Sequence, residues 1–107
     1  MPVEQSPPSL ATVTERVADR LRVVGPRMAA RSSAEAAALL QDVRGVLQQL
    51  ADLAADAEQR PRRPVPVLAA HALADQVLVL AHDVEVHADP AAVAAATLAL
   101  QHLARRI

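Results

Sequence analysis

The sequence predicts an all-α protein, an antiparallel four-helix bundle with coiled-coil-like packing and a core of Ala, Val and Leu. Two observations carry this prediction. Apolar residues recur three and four positions apart in four separate segments, which is the period of one helical face. The chain is 52% apolar yet contains no Phe, Tyr or Trp, so small aliphatic side chains have to fill the core. Its 107 residues are enough for one domain.

The N-terminal part of the chain predicts a tail followed by a helix. Residues 1–8 contain three prolines and no apolar period, which predicts a disordered tail, with 9–107 forming a single helical domain. A helix is expected over 9–24, where five apolar residues step 3, 4, 4 and 3. These are Leu10, Val13, Val17, Leu21 and Val24. Gly25-Pro26 is expected to end this helix, since Gly favours the position after a helix and Pro cannot continue one.

The second helix is expected over 33–59 and has the longest apolar stripe. Ser32 followed by Glu35 is the pattern of a capping box, which predicts the start of the helix. The stripe steps 4, 3, 4, 3 and 4 through Leu39, Val43, Val46, Leu50, Leu53 and Ala57. Gly45 costs a helix about 1 kcal/mol relative to Ala. Its presence favours a close neighbouring backbone or a slight bend at that point.

A proline-rich linker and two further helices complete the predicted bundle. Residues 60–66 contain three prolines and cannot be helical throughout. A third helix is expected over 66–87, although the β-branched residues within 76–87 also suit strands. Apolar residues continue to recur three and four positions apart through this segment, which favours the helix. Asp89-Pro90 predicts an N-cap and first-turn proline, beginning a last helix over 90–106.

Composition removes several classes of function. The absence of Cys excludes disulfide frameworks and thiolate metal sites, and the absence of aromatic residues disfavours base-stacking nucleic-acid readers. The N-terminus has no secretory pattern. The longest weakly polar run, Ala91 to Leu100, is about half of the roughly 20 residues that a membrane span needs. A cytoplasmic protein without a membrane partner is therefore expected.

One constellation on the third helix has metal-ligand spacing. His71, Asp75, His82 and Glu85 step 4, 7 and 3 along one predicted face, and neighbouring imidazole and carboxylate groups can hold a divalent transition metal. Di-iron bundles instead repeat Glu-x-x-His on two helices. The alternative interpretation is that this helix, which lacks Arg and Lys, needs polar groups opposite its apolar stripe. Those groups can pair with one another without a metal, or make an interface sensitive to pH.

The basic residues are all arginines, and three of them cluster in the linker. Arg60, Arg62 and Arg63 form the one local basic group that favours nucleic-acid contact. Three arginines in a proline-rich loop more often serve solubility. Acidic and basic segments otherwise alternate along the chain, a pattern that can set pairing between helices or between subunits.

Taken together, these features predict a small helical protein–protein interaction module. Small side chains supply little apolar area to a short chain, which favours self-association, with a homodimer as the expected state alongside contact with another protein. Regulator, adaptor and assembly-factor roles fit equally well. The alternatives are a metal-binding bundle using the third helix and a weak nucleic-acid binder using the arginine linker. No catalytic arrangement stands out.

Overall fold

The computed structural model describes residues 8–107, which fold into four α-helices. A single 3₁₀ turn at Ala70–Ala72 precedes the third helix, and the described residues contain no strand. The helices are α1 (Leu10–Ala30), α2 (Ala34–Ala57), α3 (Leu73–His87) and α4 (Pro90–Arg106). The chain is an all-α helical bundle, as predicted. The predicted disordered tail falls almost entirely on residues 1–7, outside the described residues.

The four helices form two hairpins that pack against each other. Short connections at 31–33 and 88–89 join α1 to α2 and α3 to α4. Each helix contacts both helices of the other hairpin more extensively than it contacts its own hairpin partner. The end of α1 lies beside the start of α3, since Gly25 neighbours Ala70 and Leu73. Residues 60–69 therefore carry the chain back along α2 before α3 begins.

The core is built mainly from Leu, Val and Ala. The predicted stripes face it except at the end of α2, where Ala57 is exposed, and the chain after α4 places Ile107 in the core. The largest fully buried side chains are Leu21, Leu47, Leu50, Leu73, Leu100, Val13, Val17, Val43, Val77 and Val84. Burying one such side chain contributes about 1.5–3 kcal/mol. Aliphatic packing thus replaces the missing aromatic rings.

Helix α1 continues through Gly25 and Pro26, so the predicted end at residue 24 is wrong. Gly25 and Met28 are buried and extend the stripe by 4 and 3 positions beyond Leu21. A Cβ on Gly25 would lie 3.2 Å from the carbonyl oxygen of Ala70, so this glycine permits a close helix contact. Burial of Met28, worth about 1.5–3 kcal/mol, offsets much of the roughly 3 kcal/mol that an interior proline costs.

Helix α2 begins one residue later than its capping pattern predicts. Ser33 is the N-cap, and its hydroxyl accepts a hydrogen bond from the backbone N–H of Ala36 at 3.1 Å. The predicted capping box of Ser32 and Glu35 is therefore wrong. Ser32 and Ser33 are adjacent and give almost the same N-cap signal in the sequence, and Ser33 is the N-cap in the structure.

The C-terminus of α2 is closed by a Schellman turn without glycine. The N–H of Arg60 donates to the carbonyl of Ala55 at 2.8 Å, and that of Gln59 donates to Asp56 at 3.1 Å. Gln59 has a φ of 54°, in the left-handed region that Gly usually occupies. The helix thus ends at Ala57, two residues before the predicted boundary.

Gly45 does not mark a close contact. A Cβ added there would meet no atom within 4 Å, and the residue is exposed. The expected neighbouring backbone is therefore wrong for Gly45, whereas Gly25, where a helix end was expected, has one.

Helix α3 begins later than predicted, and α4 matches its prediction. The extended segment runs to residue 69, so the α-helix starts at Leu73 instead of 66. Residues 76–87 are helical throughout, which resolves the strand alternative. Asp89 caps α4, where its Oδ1 accepts the N–H of Ala92 at 2.8 Å, ahead of Pro90.

Candidate functional surfaces

The structure does not bring the four predicted metal ligands together. His71 lies in the 3₁₀ turn, whereas Asp75, His82 and Glu85 lie on α3, and all four are exposed. His82 and Glu85 line a shallow groove against α1, beside Glu15. Among residues 8–107, no three His, Cys, Asp or Glu side chains are grouped so that they could hold a metal ion.

A histidine–carboxylate pair forms instead between α3 and the end of α2. His87 Nε2 lies 3.1 Å from Glu58 Oε1, and both side chains are partly exposed. Arg60 also contacts the Glu58 carboxylate. This pair joins a histidine to a carboxylate, and His87 lies outside the predicted metal-ligand face.

Two of the three linker arginines are engaged within the chain. Arg62 binds Asp56 through two hydrogen bonds, Nε to Oδ1 at 3.0 Å and Nη2 to Oδ2 at 2.7 Å. These hydrogen bonds lower the pKa of Asp56 below its ordinary value, and they raise the pKa of Arg62. Arg60 pairs with Glu58. Only Arg63, whose guanidinium has no carboxylate within 4.0 Å among the described residues, is left for an external phosphate.

Two glutamines fasten the linker to the helices beneath it. The Gln48 amide accepts the N–H of Val65 at 2.9 Å and donates to the carbonyl of Arg63 at 3.0 Å. Gln76 on α3 donates to the carbonyl of Pro66 at 3.1 Å. These bonds satisfy backbone groups of a segment that has no helical or sheet partners of its own. We call residues 60–66, with these contacts, the strap.

Charged groups also join α4 to the first hairpin. Arg106 Nη1 lies 2.6 Å from Asp42 Oδ2 on α2, close in distance but poorly directed for a hydrogen bond. Arg20 on α1 donates to the terminal carbonyl of Ile107. The pair of Arg106 with Asp42 joins a basic segment to an acidic one within one chain. The two contacts together hold the end of α4 against both helices of the first hairpin.

The outward side of α4 is apolar and uncharged. No Asp, Glu or Arg occurs from Ala91 to Gln101, although Ala91, Ala94 and Leu98 are exposed to solvent. Leu98 is 54% exposed. The half-buried Ala95 lies at its edge, and Leu53 on α2 lies across a groove from Ala92. We call this surface the α4 face; its members are Ala91, Ala94, Ala95 and Leu98.

A second open feature lies at the elbow between α1 and α2. It is a notch of about 290 Å³ between the last turns of α1 and the first turns of α2. Its lining residues are Val24, Arg27, Met28, Arg31, Ser33, Glu35, Ala36 and Leu39. The notch combines apolar walls with a charged rim, and we call it the elbow notch.

Sequence reasoning missed both of these surfaces, for different reasons. The uncharged run from Ala91 to Gln101 is the signal for the α4 face, but its composition alone does not show which side of the helix is exposed. The elbow notch had no local signal, because it depends on α1 continuing through Pro26. The arginine linker and the α3 residues were identified from sequence, but their neighbours in space were not.

Comparison with known proteins adds no family to these observations. No protein-family model matches the chain, and neither the curated proteins nor the solved structures that were compared include a match. Among the described residues, no helix is both long enough and apolar enough to cross a bilayer.

Proposed function

We infer that the protein is a small helical interaction module that self-associates into a homodimer through the α4 face. The observation that carries this proposal is the exposure of Ala91, Ala94 and Leu98 on a helix side that has no charged residue over three turns. The outward side of a helix in a soluble monomer normally carries polar and charged residues. An exposed apolar face gains free energy when a second apolar surface covers it.

The size of the α4 face favours a reversible dimer. Seventeen residues make a helix about 25 Å long and about 10 Å wide. One side of this helix offers roughly 250 Å², or roughly 500 Å² from two protomers, which is below the usual area of a stable interface. We therefore expect a weak dimer, with a dissociation constant from roughly 100 μM upward.

The charge at the two ends of α4 favours an antiparallel arrangement of the two copies. The helix begins at the acidic Asp89 and ends at the basic Arg105 and Arg106. Antiparallel pairing brings each acidic start near the basic end of the other copy, and it also opposes the two helix dipoles. Parallel pairing would place like charges together. A twofold axis near the middle of α4 satisfies both ends at once.

Alanine on this side permits close approach of the two α4 helices. Ala91, Ala94 and Ala95 add little bulk, so the helix axes can approach the lower end of the 8–10 Å range. Leu98 then fills the centre of the contact. The other surfaces of the dimer remain available to another protein, which keeps regulator, adaptor and assembly-factor roles open.

Sedimentation equilibrium tests the proposal directly. Protein loaded from low micromolar to millimolar concentration is expected to follow a monomer–dimer equilibrium. Arg105→Glu is expected to weaken the dimer, because it sets like charges against each other, whereas Arg16→Glu on α1 should leave it unchanged. A strict monomer at millimolar concentration would contradict the proposal, and equal effects of the two substitutions would contradict the antiparallel arrangement.

A further inference from the structure

Arg44 on α2 is the only arginine of the chain that is not exposed. Of the eleven arginines, the other ten are exposed, so water can reach their donors, whereas Arg44 is half-buried. Among the described residues, its buried Nε has no hydrogen-bond partner, and its guanidinium has no carboxylate within 4.0 Å. Buried donors are normally paired with an acceptor of the protein or with a bound water or ion. The fold thus holds a positive charge half out of water and supplies no counter-charge for it.

The Arg44 side chain lines a cleft between α2, the start of α3 and the segment that joins them. The cleft has a volume of about 210 Å³, and Arg44 is the one charged residue among those that line it. The other lining residues are Gln41, Leu47, Gln48, Val65, Pro66, Val67 and Gln76. Neutral amides and aliphatic groups therefore surround the guanidinium, and none of them can neutralise it. We call this feature the Arg44 cleft.

The walls of the Arg44 cleft are fixed by the bonds that hold the strap. The Gln48 amide accepts the N–H of Val65 at 2.9 Å, and Gln76 donates to the carbonyl of Pro66 at 3.1 Å. All four of these residues line the cleft. A site whose walls are already ordered costs a ligand less free energy to occupy than a site that must form on binding.

We propose that the Arg44 cleft binds a small oxyanion, a carboxylate or phosphate group, through Arg44. The guanidinium carries its N–H donors in a planar fork that fits two oxygens of such a group. The oxyanion supplies the counter-charge that the fold lacks, and water screens this pair less than a pair on the open surface. Because Val65 and Pro66 form part of the wall, the bound oxyanion also lies against the strap. No residue of α4 lines the cleft, so this proposal and the α4-face dimer can fail independently.

Titration with sodium acetate and, separately, with sodium phosphate at constant ionic strength, followed by NMR, tests this inference. We expect saturable shifts at the Arg44 Nε–H and at the amides of Val65 and Val67, and the arm that gives them identifies the oxyanion. Arg44→Gln should weaken binding at least about tenfold, since hydrogen bonds to a charged group are lost. Arg44→Lys keeps the charge without the fork and should weaken binding less. Arg16→Gln, at an exposed arginine on α1, is the matched control and should bind like the native chain.

Stability in urea separates oxyanion binding from a purely structural role of Arg44. Without an oxyanion, Arg44→Gln should be at least as stable as the native chain, because it removes a half-buried charge that has no partner. At a saturating concentration of the oxyanion, the native chain should gain stability and the variant should not, since a ligand stabilises only the folded state that binds it.

Four results would overturn the inference. The absence of a saturable shift in both arms would remove the site. Sodium chloride that shifts the same resonances as strongly would leave only an effect of ionic strength. Arg16→Gln that weakens binding as much as Arg44→Gln would assign the effect to general charge. Equal stabilisation of the native chain and of Arg44→Gln by the oxyanion would place its binding elsewhere.

Discussion

The outward sides of α2 and α4 differ in what covers them. On α2 that side is polar, and the strap lies across it, hydrogen-bonded to Gln48 and ion-paired with Asp56. On α4 it is apolar, and the described residues place no segment across it. Both helices turn their opposite sides to the same core. The two outward sides therefore differ in what covers them: a segment of the same chain, the strap, covers the outward side of α2.

This difference teaches how the two kinds of face are satisfied. A polar face loses little in water, so a few directed hydrogen bonds suffice to position the strap on α2. An apolar face gains only from another apolar surface. Exposure alone does not identify such a face: Val79 on α3 is 61% exposed, but Asp75 and His82 flank it and keep that side hydrated. The absence of charge around Leu98 distinguishes α4.

The largest expected effect comes from placing a charge in the α4 face. Leu98→Asp buries a carboxylate in the centre of the dimer twice, once from each protomer, and should weaken the dimer at least about a hundredfold. The fold should be retained, because Leu98 is exposed in the monomer. Val79→Asp, a similar change at an equally exposed site on α3, should leave the dimer intact. Sedimentation equilibrium on both variants separates them, and dissociation of both would refute the assignment of the α4 face.

Breaking the strap should have the next largest effect. Gln48→Ala removes hydrogen bonds to Arg63, Val65 and Asp52, each worth about 0.5–1.5 kcal/mol, so the free energy of unfolding should fall by about 1.5–4.5 kcal/mol. Gln49→Ala, the next residue on the exposed side, should change it by less than about 0.5 kcal/mol. Urea unfolding measures both values. Faster hydrogen exchange at the Val65 amide should accompany only the first variant, and equal stability losses would mean that Gln48 does not fasten the strap.

A smaller effect of opposite sign is expected at Gly45, on the exposed side of α2. Gly45→Ala should raise the free energy of unfolding by up to about 1 kcal/mol, because a Cβ meets no atom there and Ala favours helix. Gly25→Ala is the matched comparison. The Cβ of an alanine at position 25 would lie 3.2 Å from the carbonyl oxygen of Ala70, so the steric cost of this close contact should offset the gain in helix propensity. A gain at Gly25 with none at Gly45 would contradict the packing described for both.

The smallest expected effect is on pH dependence at the edge of α2. Arg62 lowers the pKa of Asp56 in the folded state, so the ion pair stabilises the fold above the ordinary Asp pKa. That stability is lost as pH falls through the lower folded value. Asp56→Asn should therefore be slightly less stable than the native chain near pH 6, and the difference should vanish in strong acid. Denaturation curves across this range test the sign, and a difference that grows toward acid would contradict it.

The sequence predicted the helices where a periodic stripe was bounded by unambiguous capping residues. Asp89-Pro90 predicted the start of α4 correctly, since Asp89 is its N-cap. Gly25-Pro26 misled because the same residues mark a helix end or a close helix contact, and only the tertiary partner at Ala70 decides between them. The end of α2 was hidden for a related reason, since Gln59 adopts the conformation expected of Gly.

The candidate surfaces were less predictable than the fold because they depend on pairs of distant residues. The contact of Arg62 with Asp56 and that of Gln48 with Val65 require the linker to return along α2, and nothing local in either segment specifies that path. Three of the predicted metal ligands lie on α3 as expected, whereas His71 lies in the 3₁₀ turn before it, and a shared helix face does not by itself group ligands around one point. Only the α4 face was fully encoded in one segment.

A cross-linking measurement tests the central claim, that two copies meet through the outward side of α4, most directly. The chain has no cysteine, so a single introduced thiol reports one position. Leu98 lies midway along α4, and in the antiparallel dimer the two copies of this residue face each other across the twofold axis. Oxidation of the Leu98→Cys variant at a concentration that populates the dimer should give a disulfide-linked dimer in high yield. The Val79→Cys variant should remain monomeric, and equal yields from the two variants would contradict the account.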